Sequence, residues 1–263
     1  MEPYCTALDW DKIFEYICQR LMAEGFQKKG KLLIRRYGVL ITTVYYDRSC
    51  PSRPDFHIGG CSIWNCPIEW HLFREVRTMS FRIMCGWLIE KWPASPVFPA
   101  QETGKYPVDT FEKYKFADPG SPICWDEFRD ILERTLFSAV AYFSTYEGYK
   151  ANICYHSKPG TYLRAGEWIL AMHERNLEWF TFLIDNELHI RSLSAKYPEQ
   201  LETKFQRHFA IYEAAKAGNW APAQAYLDEL SAPRELILKK YHIKDQAPPR
   251  DKGKRQGQRQ GDG

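Results

Sequence analysis

The sequence predicts an α+β fold: an N-terminal helix packed on an antiparallel sheet, a long covering helix near residues 126–146, and an α-helical C-terminal subdomain. Three observations carry this. Trp10, Ile13, Phe14, Ile17 and Leu21 recur at helical spacing ahead of Gly25. Three β-rich runs follow, over 32–37, 39–46 and 55–64, separated by glycine or proline. After Gly160 the apolar pattern is helical throughout. The 263 residues therefore divide into an α+β meander domain (1–155), a helical subdomain (156–245) and a disordered basic tail (246–263).

Asp9 has the residue type of an N-cap for the first helix, and Gly25 sits where a C-terminal glycine belongs. A short turn through Lys28, Lys29 and Gly30 leads into the strand Leu32–Tyr37, and Gly38 separates it from Val39–Tyr46. The loop Ser49–Pro54 contains two prolines. The strand Asp55–Trp64 contains Gly59-Gly60, which points to a bulge or a close backbone approach. Trp70, Phe73 and Val76 fit a short helix or loop, Phe81–Glu90 fits another strand, and 93–123 is irregular. Strand order and the structure of 66–123 stay open. Phe128, Ile131, Leu132, Leu136, Ala139 and Phe143 form the apolar stripe of the covering helix, with Asp126, Glu127 and Asp130 at its positive end. Further helices are expected over Glu167–Asn186, from Pro198 to about Ala217, and over Trp220–Leu230 and Arg234–His242. The pair Phe209–Gly218 and Trp220–Leu230 resembles a tetratricopeptide-like helical hairpin, but a solenoid needs about three such units.

Charge bounds the partners. The chain carries 36 basic and 33 acidic residues; the last fourteen hold five and two of these, leaving 31 of each sign in 1–249. A neutral body lacks the electrostatic footprint of a dedicated nucleic-acid binder, so nucleic acid is not expected as a partner beyond weak contacts by the tail. No apolar run of about 18 residues is present to span a membrane, and no signal-like stretch opens the chain. The eight cysteines are spread from Cys5 to Cys154 rather than set in a compact secreted framework, which reads as reduced thiols and a cytoplasmic location.

Several motifs come close to known chemistry and miss. Gly25–Leu32 matches most of a Walker A loop, but Leu32 stands where Ser or Thr must ligate magnesium, and a helix precedes where a strand should. His173-Glu174 begins like a zincin helix, but Leu177 replaces the second His. Cys50, His57, Cys61, Cys66 and His71 are zinc-ligand types. On one strand, however, His57 and Cys61 stand about 13 Å apart at about 3.3 Å per residue, too far for bonds of about 2.0–2.3 Å to one ion. No nucleophile elbow or dinucleotide fingerprint occurs. The sequence implies no metal, no cofactor and no catalytic residue set.

The first third carries a resemblance. An amphipathic helix ends in Gly25-Phe26-x-Lys28-Lys29-Gly30, followed by the basic strand Leu33-Ile34-Arg35-Arg36, a hydrophobic strand over 41–46, a polar loop with Ser49, and Phe56-His57-Ile58. This resembles an uncharacterised bacterial domain-of-unknown-function family with a helix, a Gly-Phe-x-Lys-x-Gly turn and an antiparallel meander. It covers residues 9–65 and extends loosely to 150. The resemblance implies a small cytosolic protein, some relatives of which accompany interbacterial toxins as immunity partners.

The expected function is a cytosolic protein-binding module, an immunity-type inhibitor of a bacterial toxin domain in its most specific form. Nine Trp, sixteen Tyr and a supply of Arg give the residue types enriched in interface hot spots. The candidate partner-binding residues are Tyr46, Arg48, Arg53, His57 and Trp64, on the meander and its loop. One alternative is an enzyme assembled from distant groups such as His57, Glu69, His71 and Asp109. Another is a scaffold that holds a partner through its C-terminal helices.

Overall fold

The computed structural model describes residues 4–5, 10–48, 55–76, 78–84, 87–90, 123–154, 165–193 and 199–246. Strand β1 (Tyr4–Cys5) leads to helix α1 (Trp10–Ala23), then β2 (Gln27–Lys29), β3 (Leu32–Tyr37), β4 (Leu40–Asp47) and β5 (Asp55–Ser62). A 3-10 helix (Trp70–Glu75), β6 (Met79–Met84), β7 (Trp87–Glu90) and β8 (Ile123–Cys124) follow. The rest is helical: α2 (Trp125–Leu132), a π-helical turn (Glu133–Phe137), α3 (Ser138–Phe143), α4 (Tyr146–Cys154), α5 (Ala165–His173), α6 (Leu177–Leu193), α7 (Glu199–Lys216) and α8 (Ala221–Lys240). The α+β class read from the sequence is the class of the fold.

Strands β2 to β7 form one antiparallel meander in sequential order. Two-residue turns, each starting with a glycine (Gly30 and Gly38), join β2 to β3 and β3 to β4. The turn expected after α1 thus contains a three-residue strand, and the strand expected over 81–90 is a hairpin of two. No bulge interrupts the β4–β5 register, which pairs Leu40 with Ser62 through to Asp47 with Asp55. Gly59 instead allows a close approach: a Cβ there would stand 2.2 Å from the Val76 carbonyl oxygen and 2.5 Å from Thr43 Oγ1. The expected N-cap, Asp9, lies outside the described residues.

Both faces of the sheet are covered. Leu33, Val44, Tyr46, Phe56, Ile58 and Phe81 pack with α1 and with the α2–α3 rod, including Ile17, Leu21, Phe128, Leu136 and Phe143. The alternate residues Leu32, Ile34, Ile41 and Cys61 pack with α5 to α8 through Trp168, Phe180, Tyr212, Leu227 and Leu238. A small cluster of Leu40, Tyr149, Ile153 and Leu170 seats α4 at the margin. The meander and the helices after residue 155 therefore share a hydrophobic core. Strand alternation explains how: period 2 sends neighbouring side chains to opposite faces, and in β4 residues of both sets are buried.

The C-terminal helices depart from the sequence reading at two points. The helix expected over 167–186 is two helices, α5 and α6. Arg175 N–H bonds to the Met172 carbonyl (3.2 Å), Asn176 N–H to that of Ala171 (3.0 Å), and Arg175 takes φ 51°. That is a Schellman closure, and Asn176 then caps α6 by accepting from Trp179 N–H at 3.0 Å. Conversely, Trp220–Leu230 and Arg234–His242 are one helix, α8, with Pro233 inside it. Proline removes one N–H there, but Arg234 Nη1 donates to the Leu230 carbonyl at 2.6 Å and Nε to that of Cys66 at 2.6 Å. The turn around Pro233 is thereby bonded to the sheet-side loop.

Candidate functional site

The helical layer presents an open groove of about 450 Å³ lined by Arg175, Gly218, Trp220, Ala221, Gln224, Ala225 and Asp228. Two helix ends and one helix face build it. Arg175 stands in the α5–α6 turn. Gly218 closes α7 with the same pattern of bonds, Gly218 N–H to Ala215 and Asn219 N–H to Ala214, both 2.9 Å. Asn219 Oδ1 accepts from Ala221 N–H at 3.1 Å and starts α8. Spacings of three and four residues then put Ala221, Gln224, Ala225 and Asp228 on one exposed stripe.

The chemistry of this groove is that of a contact surface. The alanines and glycine leave room, and Trp220 supplies a half-buried ring that leans on Phe180 at 6.5 Å. Gln224 Nε2 donates to Asp228 at 2.8 Å. Among the described residues the exposed Arg175 guanidinium has no hydrogen-bond or ion-pair partner. The sequence reading passed over Arg175 because it ran one helix through it. The signal was present in Asn176, a cap-type residue with Glu178 in the first turn behind it.

The meander residues expected to bind a partner lie elsewhere. Tyr46 is 1% exposed, His57 1% and Trp64 7%. Tyr46 stacks between Phe14 (4.6 Å) and Phe56 (4.8 Å), and burial pushes its hydroxyl up to about 12. His57 Nε2 is 3.3 Å from Asp47 Oδ2, and its ring lies parallel to Tyr45. Trp64 packs on His173 at 4.5 Å. Arg48 reaches solvent but is held by Asp11 at 2.8 Å, and Arg53 lies outside the described residues. Tyr46, His57 and Trp64 are interior because a helical layer covers each side of the sheet.

The residues considered for an enzyme are also dispersed. His57 is interior, whereas His71 and Glu69 form an exposed pair 3.5 Å apart beside the 3-10 helix. Asp109 lies outside the described residues. His173 is an interhelix residue, 5.9 Å from the Tyr146 ring. The adjoining polar cluster is internally matched: Lys150 Nζ meets both Glu174 oxygens (2.8 and 2.7 Å), and the Tyr146 hydroxyl donates to Glu174 at 3.0 Å. Burial, then the neighbouring Glu167, pushes the Cys154 thiol up to about 11, so it is protonated at neutral pH. Among the described residues no group of three His, Cys, Asp or Glu side chains could hold a metal ion. No described helix is long and apolar enough to cross a membrane. Comparison of the chain with protein-family models, with curated proteins and with solved structures found no match.

Proposed function

We propose that this chain is a cytoplasmic protein-binding module that engages its partner through the groove between the α5–α6 turn and the start of α8. The observation that carries the reading is an exposed arginine without a partner among the described residues, facing a groove that also holds a tryptophan and small side chains. Arg and Trp concentrate binding energy at interfaces, and small neighbours let a partner approach the helix backbone. Gly218 and the start of α8, which form one side of the groove, lie within the helices that resemble a tetratricopeptide hairpin; Arg175 comes from the α5–α6 turn. An immunity-type inhibitor of a bacterial toxin domain is the narrower form of this reading, and it rests on the resemblance of residues 9–65.

The test is affinity capture from native extract at moderate salt with the full chain and with Ala225→Trp, which fills the groove from an exposed position. One stoichiometric partner held by the natural chain and lost by the variant supports the groove. A captured toxin domain whose activity the chain inhibits supports the narrower form. Equal capture by both chains would move the contact surface elsewhere.

A further inference from the structure

We propose that the end of the sheet around Tyr37, extended by residues 250–263, binds single-stranded nucleic acid. Residues 1–249 carry as many acidic as basic side chains, but the fold does not pair them evenly. At this end three carboxylates are taken up by arginines. Glu24 is held by Arg20, Glu235 by Arg36 at 2.6 Å, and Asp245 by Arg36 at 3.7 Å and by Gly38 N–H at 2.8 Å. Lys239, Lys240 and Lys244 are exposed, and among the described residues they make no ion pair. Lys239 and Lys240 lie in the last turn of α8, where the helix dipole favours cations. Lys244 lies beyond it.

The fold carries these cations to an exposed ring. After α8 the chain runs against the start of β2. There the Gln27 amide, in the orientation that satisfies both its ends, donates to the His242 carbonyl at 2.8 Å and accepts from Lys244 N–H at 3.0 Å. Strand β2 pairs with β3 only from Leu32 to Ile34. Further along that edge Arg36 bridges in parallel to Asp245, and Gln246 N–H donates to the Arg36 carbonyl at 3.0 Å. Tyr37, the next residue of β3, is 50% exposed, and strand alternation sets it on the face opposite Arg36. Gln246 is thus fixed one residue from the ring. Arg250 follows four residues later, so any path of the chain keeps it within about 14 Å of that anchor.

The residue types choose the ligand. Residues 250–263 hold five cations, two carboxylates, and otherwise only glycine and glutamine. With no apolar side chain to bury, they offer charge and hydrogen bonds, which suit a phosphate backbone. A protein contact centres on a buried apolar patch that this segment does not supply. Tyr37 adds a flat face on which a base can stack beside the cations. A duplex keeps its base faces stacked inside, so the ring selects single strands.

The experiment measures binding of the full chain to a fluorescein-labelled twenty-nucleotide uridine oligomer, by anisotropy, between about 50 and 200 mM salt. Each phosphate neutralised on a single strand contributes about −0.7 to the slope of log K against log salt, so eight cations give a slope approaching about −5.5. Replacing Arg250, Lys252, Lys254, Arg255 and Arg259 together by Gln should make the slope shallower by about 3.5. Replacing Lys239, Lys240 and Lys244 together by Gln should make it shallower by about 2. Tyr37→Ala should keep the slope and weaken binding about tenfold at every salt concentration. No binding at the lowest salt would overturn the proposal. Natural affinity in both the lysine and the Tyr37 variants would also overturn it, since residues 250–263 would then act without the sheet. So would equal affinity for a duplex of the same length, or tighter binding to phosphatidylserine vesicles than to the oligomer.

Discussion

His208 should make the stability of this protein fall between pH 6.5 and pH 4. Its ring, on α7, is buried against Trp168 in near-parallel stacking at 4.7 Å, with the Tyr226 hydroxyl 3.3 Å from Nε2. Burial, reinforced by the Arg207 and Lys204 cations, pushes it down to about 4. In the unfolded chain an imidazole titrates near 6.5. Above that pH both states are neutral and the contribution is fully present. As pH falls, the unfolded chain takes the proton first, so stability is lost until about pH 4, below which the difference is constant. A gap of about 2.5 units corresponds to about 3 kcal/mol in full, and to about 2 kcal/mol at pH 5, at about 1.4 kcal/mol per unit. The assay is urea unfolding at pH 7.5 and pH 5 for the natural chain and for His208→Phe, which keeps a ring and removes the titration. With a slope of roughly 2–3 kcal/mol/M, the natural midpoint should drop by roughly 0.7–1 M more than the variant's. Glu187 works in the opposite direction, since burial raises its carboxyl and favours the fold as pH falls. It is present in both chains and cancels. Equal pH dependence of the two midpoints would refute the assignment.

Two further predictions concern backbone geometry. Gly59→Ala should cost about 2–3 kcal/mol, the price of overpacking against backbone, because its Cβ would stand 2.2 Å from the Val76 carbonyl oxygen. Gly60→Ala meets Phe143 at an ordinary 3.5 Å and should cost far less, so matching thermal melts of the two variants would contradict the contact. Arg175 (φ 51°) and His242 (φ 54°) hold the left-handed position that glycine occupies at the ends of α1 and α7. Arg175→Gly and His242→Gly should each raise stability by about 0.5–1 kcal/mol in urea unfolding, after the greater freedom of glycine in the unfolded chain is deducted. Arg175→Gly should also weaken partner capture, whereas His242→Gly should not.

Strands β3, β4 and β5 were legible because each is a short stretch with aliphatic and aromatic residues set off by glycine or proline. Strand β2 was not, since Gln27-Lys28-Lys29 has no apolar pattern and is a strand only through its pairing with Leu32, Leu33 and Ile34. The break at Arg175 was hidden because apolar residues continue at helical spacing on both sides of it. Pro233 misled in the other direction: local rules end a helix there, whereas α8 runs through it, with Arg234 bonded locally to the Leu230 carbonyl and across the fold to that of Cys66. The burial of Tyr46, His57 and Trp64 has a long-range cause. Alternation shows that Tyr46 and His57 point to opposite faces, but whether either face meets water depends on helices distant in sequence: α1 and the α2–α3 rod on the Tyr46 side, and α5 to α8, more than 100 residues on, on the other. The groove shares that dependence, since the α5–α6 turn and the start of α8 meet only after the chain has folded.

The C-terminal segment finishes the sheet. Arg36 makes a two-point contact with Glu235, both bonds 2.6 Å, across 199 residues of sequence. Asp245 accepts from Gly38 N–H at 2.8 Å, and Gln246 N–H donates to the Arg36 carbonyl at 3.0 Å. At a synthesis rate of about 5–20 residues per second, roughly 10–40 s separate the making of Arg36 from the making of Glu235. Through that interval on the ribosome, any β3 that forms does so without the groups that finally cover its outer end. A nascent chain halted before residue 235 would thus expose a bare strand end, the kind of surface that chaperones bind and that aggregation uses.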